Sequence, residues 1–302
     1  MFNANYVRLH EEGELIKRAE TAKAMLRQCN LCPHNCGVDR TAGEKGVCRA
    51  GSEVRISGAA PHFGEERVLT GSSGSGTVFF SLCNLHCIFC QNYEISHLGH
   101  GQVVSVDRLA DLFIRLQHRG CHNINLVSPT HYVPQILSAL CLAVDLGLRI
   151  PLVYNTGGFD SLEALALLDG VVDIYMPDIK FFCESSSERY LGTRLYPAAV
   201  REAVTVMHRQ VGDLVIDSQG LATRGLLVRH LIMPDHAKDT EAILQFLAES
   251  MSTDTYVNIM AQYSPSRQAK SDGVIGRIPS SQEIMAAHQA ASRFGLRRAR
   301  AH

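Results

Sequence analysis

Short apolar and β-branched runs alternate with stretches of helical periodicity between about residues 77 and 261. The runs predict six strands, at 77–82, 123–127, 152–154, 172–176, 226–232 and 256–261. The stretches between them predict helices at 107–118, 133–146, 161–168, 198–210 and 240–250. Parallel strands need long crossovers, which helices usually supply. The pattern therefore predicts an α/β protein built on a partial (β/α)6 TIM-like barrel.

The segments on either side of the predicted barrel do not show this alternation of strands and helices. Apolar residues at three- and four-residue spacing over 5–27 predict an amphipathic helix. Residues 29–50 are rich in Gly, Asn, Pro and charge, too poor in apolar side chains to pack alone. We expect a small cysteine-rich module over 1–60, a barrel core over 61–270 and a helical tail over 271–302. The last ten residues are predicted to be a solvated helix end, and 213–224 a hairpin arm.

Polar, structure-breaking residues follow nearly every predicted strand. In barrel-like α/β folds the carboxyl ends of the strands converge on one face, where active sites lie. We therefore expect the groups at these strand ends to meet in space: 81–83, 128–131, 155–158, 178–180, 229–230 and 262–265.

Composition and charge narrow the class of protein. The chain has 302 residues, 46% of them hydrophobic and 20% charged, which is typical of a folded globular protein. With 29 Lys and Arg against 30 Asp and Glu, the formal net charge is -1, which disfavours nucleic acid as a partner. No apolar run approaches the roughly 20 residues of a membrane span, and the N-terminus lacks a secretion signal. We expect a cytoplasmic protein with no membrane partner, in which clustered cysteines are reduced metal ligands or reactive groups.

Three cysteines follow the first predicted strand in the spacing C-x3-C-x2-C: Cys83, Cys87 and Cys90. Three thiolates in one tight loop can hold three irons of a 4Fe-4S cluster, which would leave the fourth iron open. The alternative is a zinc loop with a distant fourth ligand, His86 or His97.

A second group of cysteines lies within twenty residues near the N-terminus: Cys29, Cys32, Cys36 and Cys48. Four soft ligands suit either a structural zinc or a second iron-sulfur cluster. A metal-free site that is reduced or redox-active is the third alternative. A cluster would relay electrons or contact substrate, whereas zinc would only stabilise the module.

The segment FFSLCNLHCIFCQN at 79–92 resembles the signature of radical S-adenosylmethionine (radical SAM) enzymes, including the aromatic Phe89 before the third cysteine. The resemblance covers about residues 76–265. The more detailed likeness is to iron-sulfur proteins related to pyruvate formate-lyase activating enzyme. That likeness is carried by YNTGG at 154–158, YMPDIK at 175–180, RHL at 229–231 and NIMAQY at 258–263.

The resemblance implies that the three-cysteine loop binds a 4Fe-4S cluster whose open iron is chelated by the amino and carboxylate groups of SAM. An electron from the cluster then cleaves SAM to methionine and a 5'-deoxyadenosyl radical, which takes a hydrogen atom from a substrate. It also implies a reducing partner such as flavodoxin or ferredoxin. Family analogy places the cofactor beside these residues: Phe89 at the adenine, and Asn155, Gly157, Asp178, Lys180 and Arg229 at the methionine and ribose.

The second strand end departs from the wider superfamily. Where a Gly-Gly-Glu-type turn commonly meets the amino group of the cofactor, this chain has Ser-Pro-Thr-His at 128–131. Hydroxyls accept hydrogen bonds from an ammonium group, so Ser128 and Thr130 are candidate SAM contacts. The alternative is a cap for the helix that follows.

Two functional hypotheses result. The first is a radical SAM enzyme, an oxidoreductase or lyase, whose subgroup implies activation of a glycyl-radical enzyme and hence a protein substrate. The second is a non-catalytic iron-sulfur or zinc protein that carries electrons or scaffolds a partner. Several other residues are predicted to have no ligand role: Cys121 and Cys141 in the core, Cys183 near the mouth, and His131, His230 and His236 as hydrogen-bonding or exposed side chains.

Overall fold

The computed structural model describes residues 4–301. Its helices are α1 (Asn5–Glu11), α2 (Glu14–Ala24), α3 (Arg67–Thr70), α4 (Tyr93–Ser96), α5 (Val106–His118), α6 (Val133–Asp145), α7 (Leu162–Leu168), α8 (Glu184–Leu191), α9 (Tyr196–Val211), α10 (Ala237–Ser250) and α11 (Ser281–Arg293). Its strands are β1 (Val54–His62), β2 (Ser75–Phe80), β3 (Gln102–Val104), β4 (Ile124–Val127), β5 (Leu152–Thr156), β6 (Ile174–Pro177), β7 (Val215–Ile216), β8 (Ala222–Leu231), β9 (Tyr256–Met260) and β10 (Ala299–Ala301).

Six parallel strands form the centre of the sheet in the order β2-β4-β5-β6-β8-β9. They correspond to the six predicted strands, and the five predicted helices lie at the predicted places between them. The sheet has two edges, β10 and β3, so the barrel is open. The predicted α/β fold with a partial TIM-like barrel is confirmed. The predicted hairpin arm is also present, because β7 pairs antiparallel with β8.

The sequence pattern missed several elements. The expected single helix over 5–27 is broken at Gly13, whose φ of 73° lies in the left-handed region that glycine tolerates. Strand β1 pairs antiparallel with β2 although Gly58 and Pro61 lie within it. The expected solvated helix end over 293–302 is wrong as far as residue 301, because α11 ends at Arg293 and β10 pairs in parallel with β9. Residue 302 lies outside the described residues. An edge strand gains backbone hydrogen bonds that no local pattern of side chains reveals.

The hydrophobic core lies mainly between the sheet and its helices, and it continues into the N-terminal segment. Tyr6 of α1 is buried, and its hydroxyl donates to the carbonyl of Ile150 at 2.7 Å. A second cluster fills the inside of the barrel, where Leu69 of α3 packs on Val153 and Ile174. The short helix α3 therefore closes the barrel beside the beginnings of the strands. The polar ends of the strands lie at the opposite face of the barrel.

The domain boundaries expected at residues 60 and 270 stay predictions.

No helix among residues 4–301 has both the length and the apolar character needed to cross a lipid bilayer.

Candidate functional site

The three-cysteine loop begins directly after β2, as the spacing predicts. It is held on both sides by backbone hydrogen bonds. The amide of Leu82 donates to the carbonyl of Ile95 at 2.9 Å, and the amide of Ile88 donates to the carbonyl of Tyr190 in α8 at 3.0 Å. A third bond closes the loop, from the amide of Cys90 to a carbonyl within it. The loop therefore has a defined position at the carboxyl end of the sheet.

Burial controls the chemistry of the thiols in this loop. It raises the pKa of Cys83 to about 11, and it raises the pKa of Cys87 further, while the nearby Lys180 cation opposes both shifts. The Cys90 sulfur lies 3.1 Å from the Ser96 hydroxyl. Because metal ligation requires the thiolate, we expect metal binding here to release protons.

The ends of β5 and β6 meet beside this loop. Lys180 Nζ lies 2.6 Å from Asp178 Oδ2, and this ion pair raises the pKa of the lysine although burial opposes it. A Cβ at Gly157 would lie 2.9 Å from Leu85 of the cysteine loop and 3.9 Å from Lys180 Cε. The Tyr196 hydroxyl lies 2.9 Å from the Gly157 carbonyl and 2.8 Å from that of Asp178, and it accepts the amide of Lys180. Tyr196 thus ties the two strand ends together.

A small cavity of about 40 Å³ lies between the cysteine loop and the end of β6. Its lining includes Phe89, Asp178 and Lys180, three of the predicted cofactor contacts, together with Phe181. The Phe89 ring meets the rings of Phe181 and Tyr263 edge-on, with centroids 6.2 Å apart in both cases. A cavity of this size has room for about one water, so a nucleoside has to displace side chains at its mouth.

Arg229 lies on β8, where its backbone forms an isolated β-bridge with Asp178. Its guanidinium binds other residues. Its Nε donates to Glu66 Oε1 at 2.7 Å, and its Nη2 contacts Glu66 and Glu65. Asn258 donates to the same Glu66 oxygen at 2.6 Å. This buried network inside the barrel uses Nε and Nη2, so only Nη1 remains for the predicted cofactor contact.

The predicted contacts after β4 and on β5 lie together. The Ser128 amide donates to the Asn155 carbonyl at 2.8 Å, and the left-handed φ of Ser128, 57°, turns the chain at the end of the strand. Thr130 is buried, and its hydroxyl donates to Asp160 Oδ1 at 2.7 Å. Asp160 also accepts from the Tyr154 hydroxyl at 2.9 Å. A ligand would therefore meet the Thr130 oxygen only as an acceptor.

The four-cysteine segment packs directly on the three-cysteine loop. His34 Nε2 donates to the carbonyl of Asn84 at 2.9 Å, and His86 Nε2 lies 3.3 Å from the carbonyl of Val47. Burial raises the pKa of Cys32 to about 12 and that of Cys48 in the same direction. A thiolate at Cys48 would raise the pKa of Cys83, so the two cysteine groups are neighbours.

The donor set fits the predicted cofactors. Soft sulfur ligands in a short loop suit an iron-sulfur cluster, and an ammonium and a carboxylate stand beside them. Among residues 4–301 no three His, Cys, Asp or Glu side chains are grouped so as to hold a metal ion. We therefore expect the thiols to rotate when metal binds.

The remaining cysteines and histidines take other roles. Cys121 is buried as predicted, Cys141 is half-buried on α6, and Cys183 is exposed. The histidines form hydrogen bonds to backbone carbonyls: His131 to Ser81, His230 to Ile179 and His236 to Pro234.

Comparison with known proteins identifies the family. A family model described as the radical SAM superfamily matches residues 77–217. The chain is also 31% identical over 305 residues to uncharacterized protein MJ0674 of Methanocaldococcus jannaschii, with 98% of this chain and 83% of that protein covered. This chain belongs to the radical SAM superfamily. Membership implies a 4Fe-4S cluster and SAM as cofactors, and it supports an enzyme.

One solved structure is also similar to this radical SAM protein, that of TYW1 with a lysine-pyruvate adduct bound. The TM-score is 0.44 at 9% identity, with 72% of this chain and 73% of that chain covered. A likeness this remote carries no inference about substrate.

Four residues of this radical SAM protein's site were not predicted from the sequence. Glu65 and Glu66 follow β1, far along the chain from the arginine that they bind, and no motif marks them. Tyr196 begins α9 and contacts the β5 and β6 ends only in the folded chain. Asn258 lies in a segment that carried the family resemblance, and that was its only signal.

Proposed function

We propose that this radical SAM protein uses Cys83, Cys87 and Cys90 to hold the 4Fe-4S cluster and the neighbouring strand ends to hold SAM. When bound, the cluster and SAM supply one-electron cleavage of the sulfonium, so that SAM, an electron and a substrate C–H yield methionine, 5'-deoxyadenosine and a substrate radical. More specifically, we propose that this C–H bond is the Cα–H bond of a glycine in a partner protein, as in activation of a glycyl-radical enzyme.

The observation that carries the proposal is the juxtaposition of the cysteine loop with the Asp178–Lys180 pair. Lys180 lies close enough to act on the pKa values of Cys83 and Cys87, and Gly157 leaves room for Leu85 of the same loop. An ammonium and a carboxylate beside a thiolate loop provide complementary partners for the carboxylate and amino groups of a zwitterionic amino acid. The methionine end of SAM has that chemistry.

Several parts of the site have defined tasks in this proposal. Phe89 offers an aromatic face to the adenine, and Ser128, Thr130 and Asn155 offer acceptors to an ammonium or ribose. The remaining Nη1 donors of Arg229 offer a contact to the ribose or carboxylate.

The surroundings of the site also have roles in this proposal. The four-cysteine segment holds a second metal, either zinc or iron-sulfur, and the electron comes from a reducing partner such as flavodoxin or ferredoxin. The protein acts in the cytoplasm and binds neither membrane nor nucleic acid.

Anaerobic reconstitution with iron and sulfide, followed by reduction with dithionite in the presence of SAM, tests the proposal. We expect 5'-deoxyadenosine from the wild type and none from Cys87→Ala. Cys141→Ser is the matched control, because its thiol lies on α6 away from the loop, and it should retain both iron and product. A fully loaded wild-type cluster that yields no 5'-deoxyadenosine would contradict the proposal and favour a non-catalytic electron carrier.

A further inference from the structure

A groove of about 540 Å³ runs beside both cysteine groups. Leu82, which precedes Cys83, lies in its lining, and so does Arg49, which follows Cys48. We call this surface the basic groove, after the residues that give it its character: Arg40, Lys45, Arg49, Arg55, Leu98 and Val103. Anything that occupies the basic groove therefore approaches both groups of thiols.

The basic groove carries an excess of positive charge. Four cations and one carboxylate, that of Glu53, line it. Among residues 4–301 none of those four cations forms an ion pair, although many of the other arginines do. Arg40 is only 1% exposed, and its guanidinium donates to the neutral carbonyls of Gly51 and His131. Its charge therefore has no carboxylate partner, and the surface favours an anionic partner.

Apolar side chains are exposed beside these charges. Leu98 is 54% exposed and Val103 is 46% exposed, the latter on the edge strand β3. A protein that exposes carboxylates around an apolar patch would match both features. A nucleic acid backbone would match only the charges, and the formal net charge of the whole chain is -1. The combination favours an acidic protein.

We propose that the basic groove is the docking site for an acidic one-electron carrier protein, with a flavin or iron-sulfur centre. This inference rests on the proposed function, which requires one electron per SAM cleaved. The carrier is oxidised by one electron, the cluster at the three-cysteine loop is reduced by one, and no covalent bond changes in that step. Charge complementarity speeds and orients such short-lived encounters, which bury little surface.

Binding of reduced flavodoxin to the reconstituted protein tests this docking site. The variant is Lys45→Glu/Arg55→Glu, which leaves every cysteine in place, and the matched control is Lys17→Glu/Lys23→Glu, which makes the same change of charge on α2. We expect calorimetry to give a Kd about tenfold weaker for the groove variant at low salt and an unchanged Kd for the control. We also expect the wild type to lose affinity as NaCl rises from about 50 to 300 mM.

The electron source separates failure of this inference from failure of the proposed function. With dithionite as reductant, the groove variant should form 5'-deoxyadenosine at the wild-type rate, whereas with reduced flavodoxin its rate should fall about tenfold. Equal flavodoxin affinity in the two double variants would overturn the docking site while leaving the proposed function intact. Salt-sensitive binding of a single-stranded RNA in place of flavodoxin would overturn it in favour of a nucleic acid surface. Absence of product from the wild type with dithionite would contradict the proposed function itself.

Discussion

The Arg229 guanidinium donates from Nε to Glu66 Oε1 at 2.7 Å inside the barrel, across 163 residues of chain. Burial opposes ionisation of Glu66, but the hydrogen bond and charge of Arg229 hold its pKa below the usual value. Asn258 completes the network by donating to the same carboxylate. The Glu66–Arg229 pair connects β8 to the loop that follows β1. It therefore links the antiparallel edge of the sheet to the parallel strands.

Glu66→Gln should destabilise the fold by about 2–3 kcal/mol, because Arg229 then loses one of its two carboxylate partners and keeps only Glu65. Urea denaturation at neutral pH measures the free energy of unfolding. The double variant Glu66→Gln/Arg229→Met should recover part of the loss, since the buried arginine charge is then gone and only Glu65 loses a charged partner. A double variant as unstable as the sum of the two single variants would show that the pair is not coupled.

Lys180→Met should weaken SAM binding about tenfold, since the proposed site then loses the cation that would bind the carboxylate group of SAM. Equilibrium dialysis of SAM against the reconstituted, unreduced protein measures this affinity without turnover. Lys238→Met is the control, because that lysine is exposed on α10. Equal SAM affinity in Lys180→Met and wild type would remove Lys180 from the binding site.

His131 should make the fold sensitive to acid. Burial lowers its pKa to about 4, and the Arg40 cation acts in the same direction. Its Nε2 donates to the Ser81 carbonyl at 3.0 Å. Between pH 6.5 and 4 the unfolded chain binds a proton at this side chain and the folded chain does not, so stability falls as the pH falls.

The size of this effect follows from comparison with His131→Gln, whose amide also donates a hydrogen bond but does not titrate. We expect the free energy of unfolding of the wild type to fall by up to about 3 kcal/mol more than that of the variant between pH 7 and pH 4. Urea denaturation at a series of pH values measures both curves. Parallel curves would mean that His131 has an ordinary pKa in the folded protein.

The four-cysteine segment should bind metal independently of the three-cysteine loop. We expect the triple alanine variant at Cys83, Cys87 and Cys90 to retain zinc or iron, measured by elemental analysis after anaerobic purification. The further change Cys32→Ser should remove it, since Cys32 is buried at the contact with the other loop. A triple variant that holds neither metal would leave the segment a metal-free thiol site.

Some elements of the fold could be predicted from the local sequence pattern, and others could not. The six strands and the helices between them were predictable because each depends on its own apolar periodicity and on the turn residues beside it. The three-cysteine loop was predictable because its three cysteines lie within eight residues. Strand β10 was not, because it exists through pairing with β9 rather than through its own side chains.

By itself, the sequence determined the order of the six parallel strands and the five helices between them, the barrel class and the spacing of both cysteine groups, since these depend on neighbours along the chain. The tertiary structure alone decided that Glu66 binds Arg229, that Tyr196 joins the ends of β5 and β6, and that the four-cysteine segment packs on the three-cysteine loop. Each of these contacts joins segments far apart in the chain. Their partners are selected by packing of the whole domain, which no local pattern of residues encodes.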